Sequence, residues 1–302
     1  MSASDHRDNE ADISLFESSD IEEMLSSTAP LDIDILLLGE TGTGKDTLAQ
    51  RIHRLSGRRG SFIAVNCAAI PETLAESQLF GVNSGAYTGA VQSRAGFIEA
   101  AHLGTLYLDE IDSMPLSLQA KLLRALESRG IERLGSTRFI PVDMRVIASA
   151  QQSLNIMVER GAFRRDLYFR LSVVNIQLPP LRECKSRIIP LFLSMIQQES
   201  ERFKCIAPLP PTSLFQQALC HSWPGNIREL RSTAKRFVLG LPPFLEMNHK
   251  EIGAGLKNRL QQFEKSLIEE SLRQHDRNVD VAAAELGIAR RTLYYRMKQL
   301  DI

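Results

Sequence analysis

The feature that most constrains the fold is a glycine-rich loop between an aliphatic strand and an amphipathic helix. The apolar run Ile35–Leu38 leads into the loop, and the helical pattern LAQRIHRLS follows it. This order is typical of a phosphate-binding loop, because glycines let backbone N–H groups converge on phosphate oxygens at a helix N-terminus. The lysine of the loop is predicted to reach the β and γ phosphates of a nucleotide. The predicted phosphate-binding residues are Gly39, Glu40, Thr41, Gly42, Thr43, Gly44, Lys45, Asp46 and Thr47.

Adjacent carboxylates end a second aliphatic strand, in the motif TLYLDEID at residues 105–112. At the carboxyl edge of a parallel sheet, Asp109 is predicted to hold Mg²⁺ through water, and Glu110 to polarise an attacking water. The alternative is a pair of solvated acids. The generic loop has Ser or Thr after its lysine, where this chain has Asp46, so magnesium is expected to rely on water and other ligands, with Thr47 a weaker candidate. Together the two motifs predict ATP hydrolysis.

Strand-like aliphatic runs alternate with amphipathic helical segments from Ile33 to about Leu178. Such near-continuous apolar runs favour a parallel sheet that is covered by helices on both faces. The expected fold class is α/β, a doubly wound P-loop domain with a helical lid and a C-terminal all-α helix-turn-helix. The expected domains are an acidic tail at 1–30 with one helix near 20–26 and no sensory domain, an ATPase subdomain at 31–178, a lid at 179–240, a linker at 241–258 and a DNA-binding domain at 259–302.

The C-terminal residues 279–300 read as an alanine-rich helix, a glycine-containing turn and a second, basic helix. Four bases and no acid lie between Arg290 and Lys298. This pattern predicts a helix-turn-helix whose second helix enters a major groove, with Arg290 or Arg291 reading guanine and Lys298 contacting phosphate. A helical hairpin that docks on protein is the alternative. The predicted DNA-binding residues are Arg290, Arg291, Thr292, Tyr294, Tyr295, Arg296 and Lys298.

Composition and charge indicate the cellular compartment of the protein. Its 302 residues carry 36 bases and 36 acids, so net charge gives no general argument for nucleic acid. The apolar runs are too short to cross a bilayer, and the polar, acidic N-terminus is not a secretory signal. The four cysteines lie far apart without a CxxC pair. We therefore expect a cytoplasmic protein with reduced thiols and no structural zinc site.

The order of motifs resembles one family. GETGTGKD, ESQLFGVNSGAYTGA, GTLYLDEID, MPLSLQAKLLRALE, FRRDLYFRL, LPPLRE and WPGNIREL match the bacterial enhancer-binding proteins, AAA+ ATPases that activate sigma-54 RNA polymerase. The resemblance covers residues 33–239, and the terminal helices resemble the family's Fis-type module. It implies an activator that binds enhancer DNA and remodels the closed promoter complex by ATP hydrolysis. An acidic residue after the loop lysine is usual in this family, as at Asp46.

The resemblance also accounts for a glycine-rich stretch that suits neither a strand nor a buried helix. GAYTGA matches the family's GAFTGA loop, which contacts sigma-54 and moves with the nucleotide state. Its glycines would provide a hinge, and its Tyr and Thr an apolar, hydrogen-bonding tip. Tyrosine replaces the usual phenylalanine, and we expect function to survive. The implied sigma-54 contacts are Gly85, Ala86, Tyr87, Thr88, Gly89 and Ala90.

Further roles follow from the resemblance, position by position. Asn66 matches the asparagine that restrains the catalytic glutamate, and Arg228 the lid arginine that senses nucleotide. Arg164 and Arg170 match arginine fingers that act in trans, whereas their spacing alone also fits a solvated basic helix face.

Three further positions depart from the family pattern. Ala150 and Gln151 stand where the family has Thr and Asn, which puts sensing of the γ-phosphate in doubt. Gln78 replaces a glutamate close to the moving loop.

The layout is similar to that of the short Hrp regulators of plant-pathogenic bacteria, which switch on type III secretion genes. That resemblance implies a hexamer, either of one chain or mixed with a paralogue. With no sensory domain expected, regulation would come from expression level, an inhibitory protein or a partner. Two other functions stay open: a DNA-binding regulator that does not use ATP, and an AAA+ remodelling enzyme with another client. Intact Lys45 and Glu110 argue against the first, and GAYTGA against the second.

Overall fold

The structure is a computed structural model, and it describes residues 19–86, 92–244, 264–265, 268, 271–272, 275 and 278–300. The chain divides into two compact units, Met1–Pro243 and Phe244–Ile302. The division falls inside the predicted linker, most of which lies outside the described residues. None of the helices in the described part of the chain combines the length and the apolar character that a membrane span requires.

A parallel five-stranded sheet forms the centre of the first unit, in the order β2-β3-β6-β1-β7. All of its pairings are parallel, and β6 is buried along its whole length, as its aliphatic sequence predicts. A small antiparallel pair, β4 and β5, lies apart from it. The expected doubly wound α/β class is confirmed. The strands are β1 Ile35–Leu38, β2 Phe62–Asn66, β3 Thr105–Asp109, β4 Gly130–Glu132, β5 Phe139–Pro141, β6 Arg145–Ala150 and β7 Val174–Gln177.

Helices flank the sheet and bury one face each. In α2, Lys45, Leu48, Ala49 and Ile52 are buried, at the spacing of one side of an α-helix. One large apolar cluster joins such faces to the strands. The helices of this part are α1 Ser19–Thr28, α2 Lys45–Leu55, α3 Glu72–Phe80, α4 Phe97–Ala100, α5 Leu116–Ser128, α6 Leu154–Glu159 and α7 Arg165–Leu171.

Helix α1 extends the helix expected near residues 20–26, and the segment around it packs on the domain. Leu25 and Ala29 are buried. The fully buried Arg145 donates to the carbonyls of Ala29 at 2.6 Å, Ile33 at 2.8 Å and Thr28 at 3.2 Å. The carbonyl of Thr28 lies at the C-terminal end of α1, where the partial negative charge of the helix favours a positively charged side chain.

The lid follows β7 and consists of α8 Lys185–Phe203, α9 Thr212–Cys220 and α10 Asn226–Val238. Its core includes the fully buried Trp223, whose indole N–H donates to the carbonyl of Ala218 at 2.8 Å. This hydrogen bond ties the turn before α10 to α9. The lid therefore holds the start of α10 in a fixed position.

The second unit contains α11 Val279–Glu285 and α12 Arg290–Leu300. Asn278 caps α11 by accepting from the backbone N–H of Asp280 at 3.1 Å. The turn between the helices includes Gly287 at φ 67°, a left-handed conformation that favours glycine. Ile268, Leu272, Ala282, Ala283 and Leu293 form the small core.

Candidate nucleotide-binding site

The glycine-rich loop connects β1 to α2 and is shaped by two left-handed glycines, Gly42 at φ 78° and Gly44 at φ 96°. A Cβ atom on Gly42 would lie 2.3 Å from the carbonyl oxygen of Gly225 in the lid. The backbone conformation and the close approach both require glycine at this position. The loop therefore lies directly under the start of α10.

Lys45 is largely buried and points back into the loop. Its Nζ donates to the carbonyls of Gly39 at 2.8 Å and Glu40 at 3.0 Å. Burial lowers the pKa of Lys45, and the nearby carboxylates of Asp109 and Asp46 oppose that shift. The ammonium is thus held where a phosphate group could replace the two carbonyls as its partner.

Three polar side chains, one each from β2, β3 and β6, contact the carboxylate of Asp109. The amide of Asn66, which is paired with Asp109 in the sheet register, donates to this carboxylate at 3.3 Å. The hydroxyls of Ser149 and Tyr107 also lie against it, the latter at 3.1 Å. Asp109 is therefore held by hydrogen bonds from three strands.

Tyr107 also connects Asp109 to the phosphate loop. Its hydroxyl lies 2.7 Å from Asp46, and burial raises the pKa of the phenol, so the hydroxyl stays protonated and donates. The pattern of the sequence marked Tyr107 only as a strand residue. Asp46 and Asp109 thus both contact the hydroxyl of Tyr107.

Glu110 adopts a left-handed backbone conformation, at φ 53° and ψ 47°. Its backbone N–H donates to the hydroxyl of Ser149 at 3.2 Å. Its carboxylate accepts a hydrogen bond of 2.7 Å from the side-chain amide of Gln151. A non-glycine residue in this region is strained by roughly 1–3 kcal/mol, and such strain clusters at functional sites.

A cleft of about 320 Å³ joins these elements. It brings together the phosphate loop, the two adjacent carboxylates at the end of β3, the end of β6 and one face of α10. Arg231 was not predicted, although its position one helical turn after Arg228 could have indicated it. The lining residues are Thr41, Gly42, Gly44, Lys45, Asp46, Thr47, Asp109, Glu110, Gln151, Ile227, Arg228 and Arg231.

The lid is joined to the phosphate loop by a cluster around Glu40. Arg182, just after β7, donates to both carboxylate oxygens of Glu40, one of them at 2.8 Å. The buried Asn226 donates to Glu40 at 3.2 Å and to the carbonyl of Thr41 at 3.0 Å. The hydrogen bond from Arg182 is the main reason that the pKa of Glu40 falls to about 2. These contacts couple the position of the lid to the shape of the loop.

Both predicted arginine fingers have acidic partners within the same subunit. Arg164 is the residue before α7 rather than part of it, and it binds both oxygens of Asp166, at 2.6 and 3.0 Å. Arg170, in the last turn of α7, pairs with the buried Asp34. Neither arginine is among the residues that line the cleft in the described part of the chain. Their role in trans remains a prediction.

The GAYTGA loop is described only at its base. Val82 and Arg94 exchange backbone hydrogen bonds of 2.9 and 2.8 Å, and Gly85 is left-handed at φ 80°. Of the predicted contacts, Gly85 and Ala86 belong to the described chain. Tyr87, Thr88, Gly89 and Ala90 lie outside the described residues.

The predicted DNA-binding residues lie on α12, as expected. Tyr294 and Tyr295 are exposed, while Leu293 is buried in the core of the unit. Arg290 pairs with Asp280 at 2.9 Å, and both side chains are well exposed. An exposed pair of this kind is weak, so it would not prevent Arg290 from contacting DNA.

Comparison with known proteins agrees with this arrangement. The family model of the Sigma-54 interaction domain matches residues 16–177, and that of the bacterial regulatory proteins of the Fis family matches residues 259–300. The chain belongs to the sigma-54-dependent transcriptional activators. Its ATPase domain is therefore an AAA+ domain that binds nucleotide, and its partners include sigma-54 and DNA.

Individual relatives within this activator family are similar over most of their length. The pathogenicity locus probable regulatory protein WtsA of Pantoea stewartii is 60% identical over 92% of this chain and 87% of its own. The corresponding protein HrpS of Pseudomonas savastanoi is 58% identical over 91% and 92%. The crystal structure of NtrX from Brucella abortus in complex with ADP has a TM-score of 0.76 and 30% identity, covering 94% of this chain and 68% of that one.

Proposed function

We propose that this activator hydrolyses ATP in the cleft under the lid and uses the energy to remodel sigma-54 RNA polymerase at pathogenicity promoters. The observation that carries the proposal is the convergence of Lys45, Asp109 and Glu110 on one cleft, which Arg228 of the lid also lines. A lysine for phosphate, an acid for the metal and a second acid for water are the parts that phosphoryl transfer needs. The similarity to WtsA and HrpS supports the pathogenicity target.

Magnesium would be held at Asp109, and the residues present fit such a site. In the described part of the chain, no cluster of three or more His, Cys, Asp or Glu side chains forms a metal cage. Magnesium needs none, because it binds one or two carboxylates together with phosphate oxygens and water. Asp109 and Asp46, which share the hydroxyl of Tyr107, supply that many carboxylates, and Thr47 lines the same cleft. Bound magnesium would neutralise charge that develops on the phosphate oxygens.

The protein's own residues divide the remaining work. Lys45 would bind the β and γ phosphates, and the N-terminus of α2 would add its partial charge. Glu110 would orient water and accept its proton, with Arg228 reading the nucleotide from the lid. The residues of the loop at 39–47 would wrap the phosphates through their backbone N–H groups.

A neighbouring subunit would complete the cleft, in a hexamer of one chain or mixed with a paralogue. Arg164 and Arg170 are the proposed fingers, and each must exchange an acid in its own subunit for phosphate. The exchange is easier for Arg164, because Arg164 and Asp166 are both exposed and an exposed ion pair contributes little to stability. The partner of Arg170 is buried, so release of Arg170 would leave a buried carboxylate unpaired. We therefore favour Arg164 as the finger.

The GAYTGA loop and α12 would act on the two macromolecular partners. Residues 85–90 would contact sigma-54, with Tyr87 and Thr88 at the tip. The helix α12 would hold the chain on enhancer DNA through Arg290, Arg291 and Lys298. We propose that the protein works in the cytoplasm, where an inhibitory protein would set its activity.

Separate variants of the loop test this division of labour. Thr88→Ala and Tyr87→Ala should abolish activation of a sigma-54 promoter, while ATP hydrolysis stays within about twofold of the wild type. Leu209→Ala, on the exposed surface of the lid, serves as the control and should change neither activity. If the loop variants instead lose ATP hydrolysis, these residues belong to the nucleotide site and the proposed contact with sigma-54 is wrong.

A further inference from the structure

We propose that Gln151 is a positioning residue that restrains Glu110 and thereby keeps the basal rate of ATP hydrolysis low. The inference rests on the proposed role of Glu110 as the residue that orients water. Gln151, just after β6, is one of the positions where this chain departs from the family pattern. The contact that carries it is the hydrogen bond of 2.7 Å from the amide of Gln151 to the carboxylate of Glu110.

The main chain fixes where Gln151 stands. Strand β6 pairs with β3, so the residue that follows β6 lies beside the acids that follow β3. The backbone N–H of Gln151 donates to Asp112 at 3.3 Å, and that of Gln152 donates to the same oxygen at 3.4 Å. On the other side, Ser149 accepts from the backbone N–H of Glu110. These three hydrogen bonds tie the segment that carries Glu110 to the end of β6. The side-chain amide of Gln151 adds a fourth, and of the four it alone reaches the Glu110 carboxylate.

The asparagine that the resemblance assigns to this restraint is engaged elsewhere. The amide group of Asn66 donates to Asp109 at 3.3 Å. Its carbonyl oxygen accepts from the backbone N–H groups of Ala68 at 2.9 Å and Ala69 at 3.0 Å. Both ends of the Asn66 side chain therefore have partners in the turn after β2 and on Asp109. In this conformation, the amide that contacts Glu110 is that of Gln151, the residue after β6.

The chemistry of the contact explains why it restrains. A base that takes a proton from water needs an unoccupied carboxylate oxygen directed at that water. A donor on that carboxylate occupies one of its oxygens and fixes the orientation of the group, so that oxygen is not directed at water. Because the amide of Gln151 is neutral, breaking this hydrogen bond does not leave an unpaired charge on Gln151. Because Gln151 is exposed at the rim of the cleft, a change in the lid or in a neighbouring subunit can reach it.

The test compares steady-state ATP hydrolysis by the full-length protein without sigma-54. Gln151→Ala removes the donor, and Gln151→Met removes it while keeping the length of the side chain. Both should raise kcat about fivefold, which corresponds to about 1 kcal/mol in the barrier. The KM for ATP and the affinity for a non-hydrolysable ATP analogue should stay within twofold, which a general disturbance of the site would not allow. Gln152→Met is the matched control, because Gln152 contributes only its backbone N–H to Asp112.

Glu110→Gln separates failure of the inference from failure of the proposed function. If this variant is inactive and both Gln151 variants keep or lose activity, the restraint is refuted while the role of Glu110 stands. If Glu110→Gln hydrolyses ATP at the wild-type rate, the proposed role of Glu110 is wrong and the inference falls with it. A rise in kcat that is accompanied by a large change in analogue affinity also refutes the restraint.

Discussion

The ion pair between Arg170 and Asp34 leads to the most detailed prediction. Asp34 is 7% exposed, and one of its oxygens accepts from the backbone N–H of Val146 at 2.9 Å. The other accepts from the guanidinium of Arg170. Burial raises the pKa of Asp34, while the Val146 N–H and the charge of Arg170 oppose that rise. Arg170 is therefore the main compensating charge for a buried carboxylate.

Replacing the arginine should be costly and pH-dependent. Loss of one partner of a buried pair costs about 3–5 kcal/mol, and partial exposure of the Arg170 side chain reduces our estimate for Arg170→Met to about 2–3 kcal/mol at pH 7. Because the pKa of Asp34 is raised, its contribution to stability is fully present below the unfolded pKa of about 3.9 and is lost as pH rises through the folded pKa. Without Arg170 the folded pKa rises further. The deficit should therefore shrink as pH falls towards the acid range.

Urea denaturation provides the assay, with fluorescence of the single tryptophan as the signal. Trp223 is buried in the same unit as the ion pair. Arg170→Met should lower the midpoint clearly at pH 8 and less at pH 5, with an unchanged m-value. In the Asp34→Asn background, the same substitution should cost less than about 1 kcal/mol. A deficit that is absent, or equal at both pH values, would refute the reasoning.

This outcome bears on how the finger is assigned. If Arg170 stabilises its own subunit, then lost ATP hydrolysis in an Arg170 variant does not by itself indicate a role in trans. A mixing experiment with Arg164→Ala subunits is more direct, since Arg164 and Asp166 are exposed. The stability of each variant has to be measured before its hydrolysis rate is interpreted.

Two further predictions concern other arginines. Arg145→Met should lower the free energy of unfolding by about 3 kcal/mol in urea denaturation, because it removes three hydrogen bonds from a buried charged donor to backbone carbonyls at residues 28–33. A loss below about 1 kcal/mol would contradict this. Arg182→Ala should weaken ADP binding, measured by calorimetry, by about threefold to tenfold, because it releases Glu40 from the lid. The melting temperature should change little, because the ion pair is exposed. Unchanged affinity for ADP would mean that the contact does not shape the loop.

Local patterns predicted the shape of the glycine-rich loop and the acids beside it. The left-handed Gly42 and Gly44 could be foreseen, because a loop that presents backbone N–H groups to phosphate needs them. The adjacent Asp109 and Glu110 followed from an apolar strand that ends in acids. In such cases the residues that make the feature are neighbours in sequence. The aliphatic strands were predicted for the same reason.

The contacts that adjust the site could not be predicted in this way. Glu40 and Arg182 lie 142 residues apart, and no periodicity relates them. The contact of Gln151 with Glu110 depends on the pairing of β6 with β3, which single-strand patterns do not specify. Asn226 adopts φ 50°, a conformation that its residue type permits but does not predict. Tertiary packing decides each of these.

The most direct test of the account is open-complex formation by the purified chain at a sigma-54 promoter that carries its upstream site. The protein is supplied with ATP or with a non-hydrolysable analogue, alone and with a paralogue. We predict open complexes that require hydrolysis and that are lost in Lys45→Ala and Glu110→Gln. Formation only with the paralogue would indicate a mixed ring. Formation with the analogue, or none in either mixture from folded protein, would contradict the account.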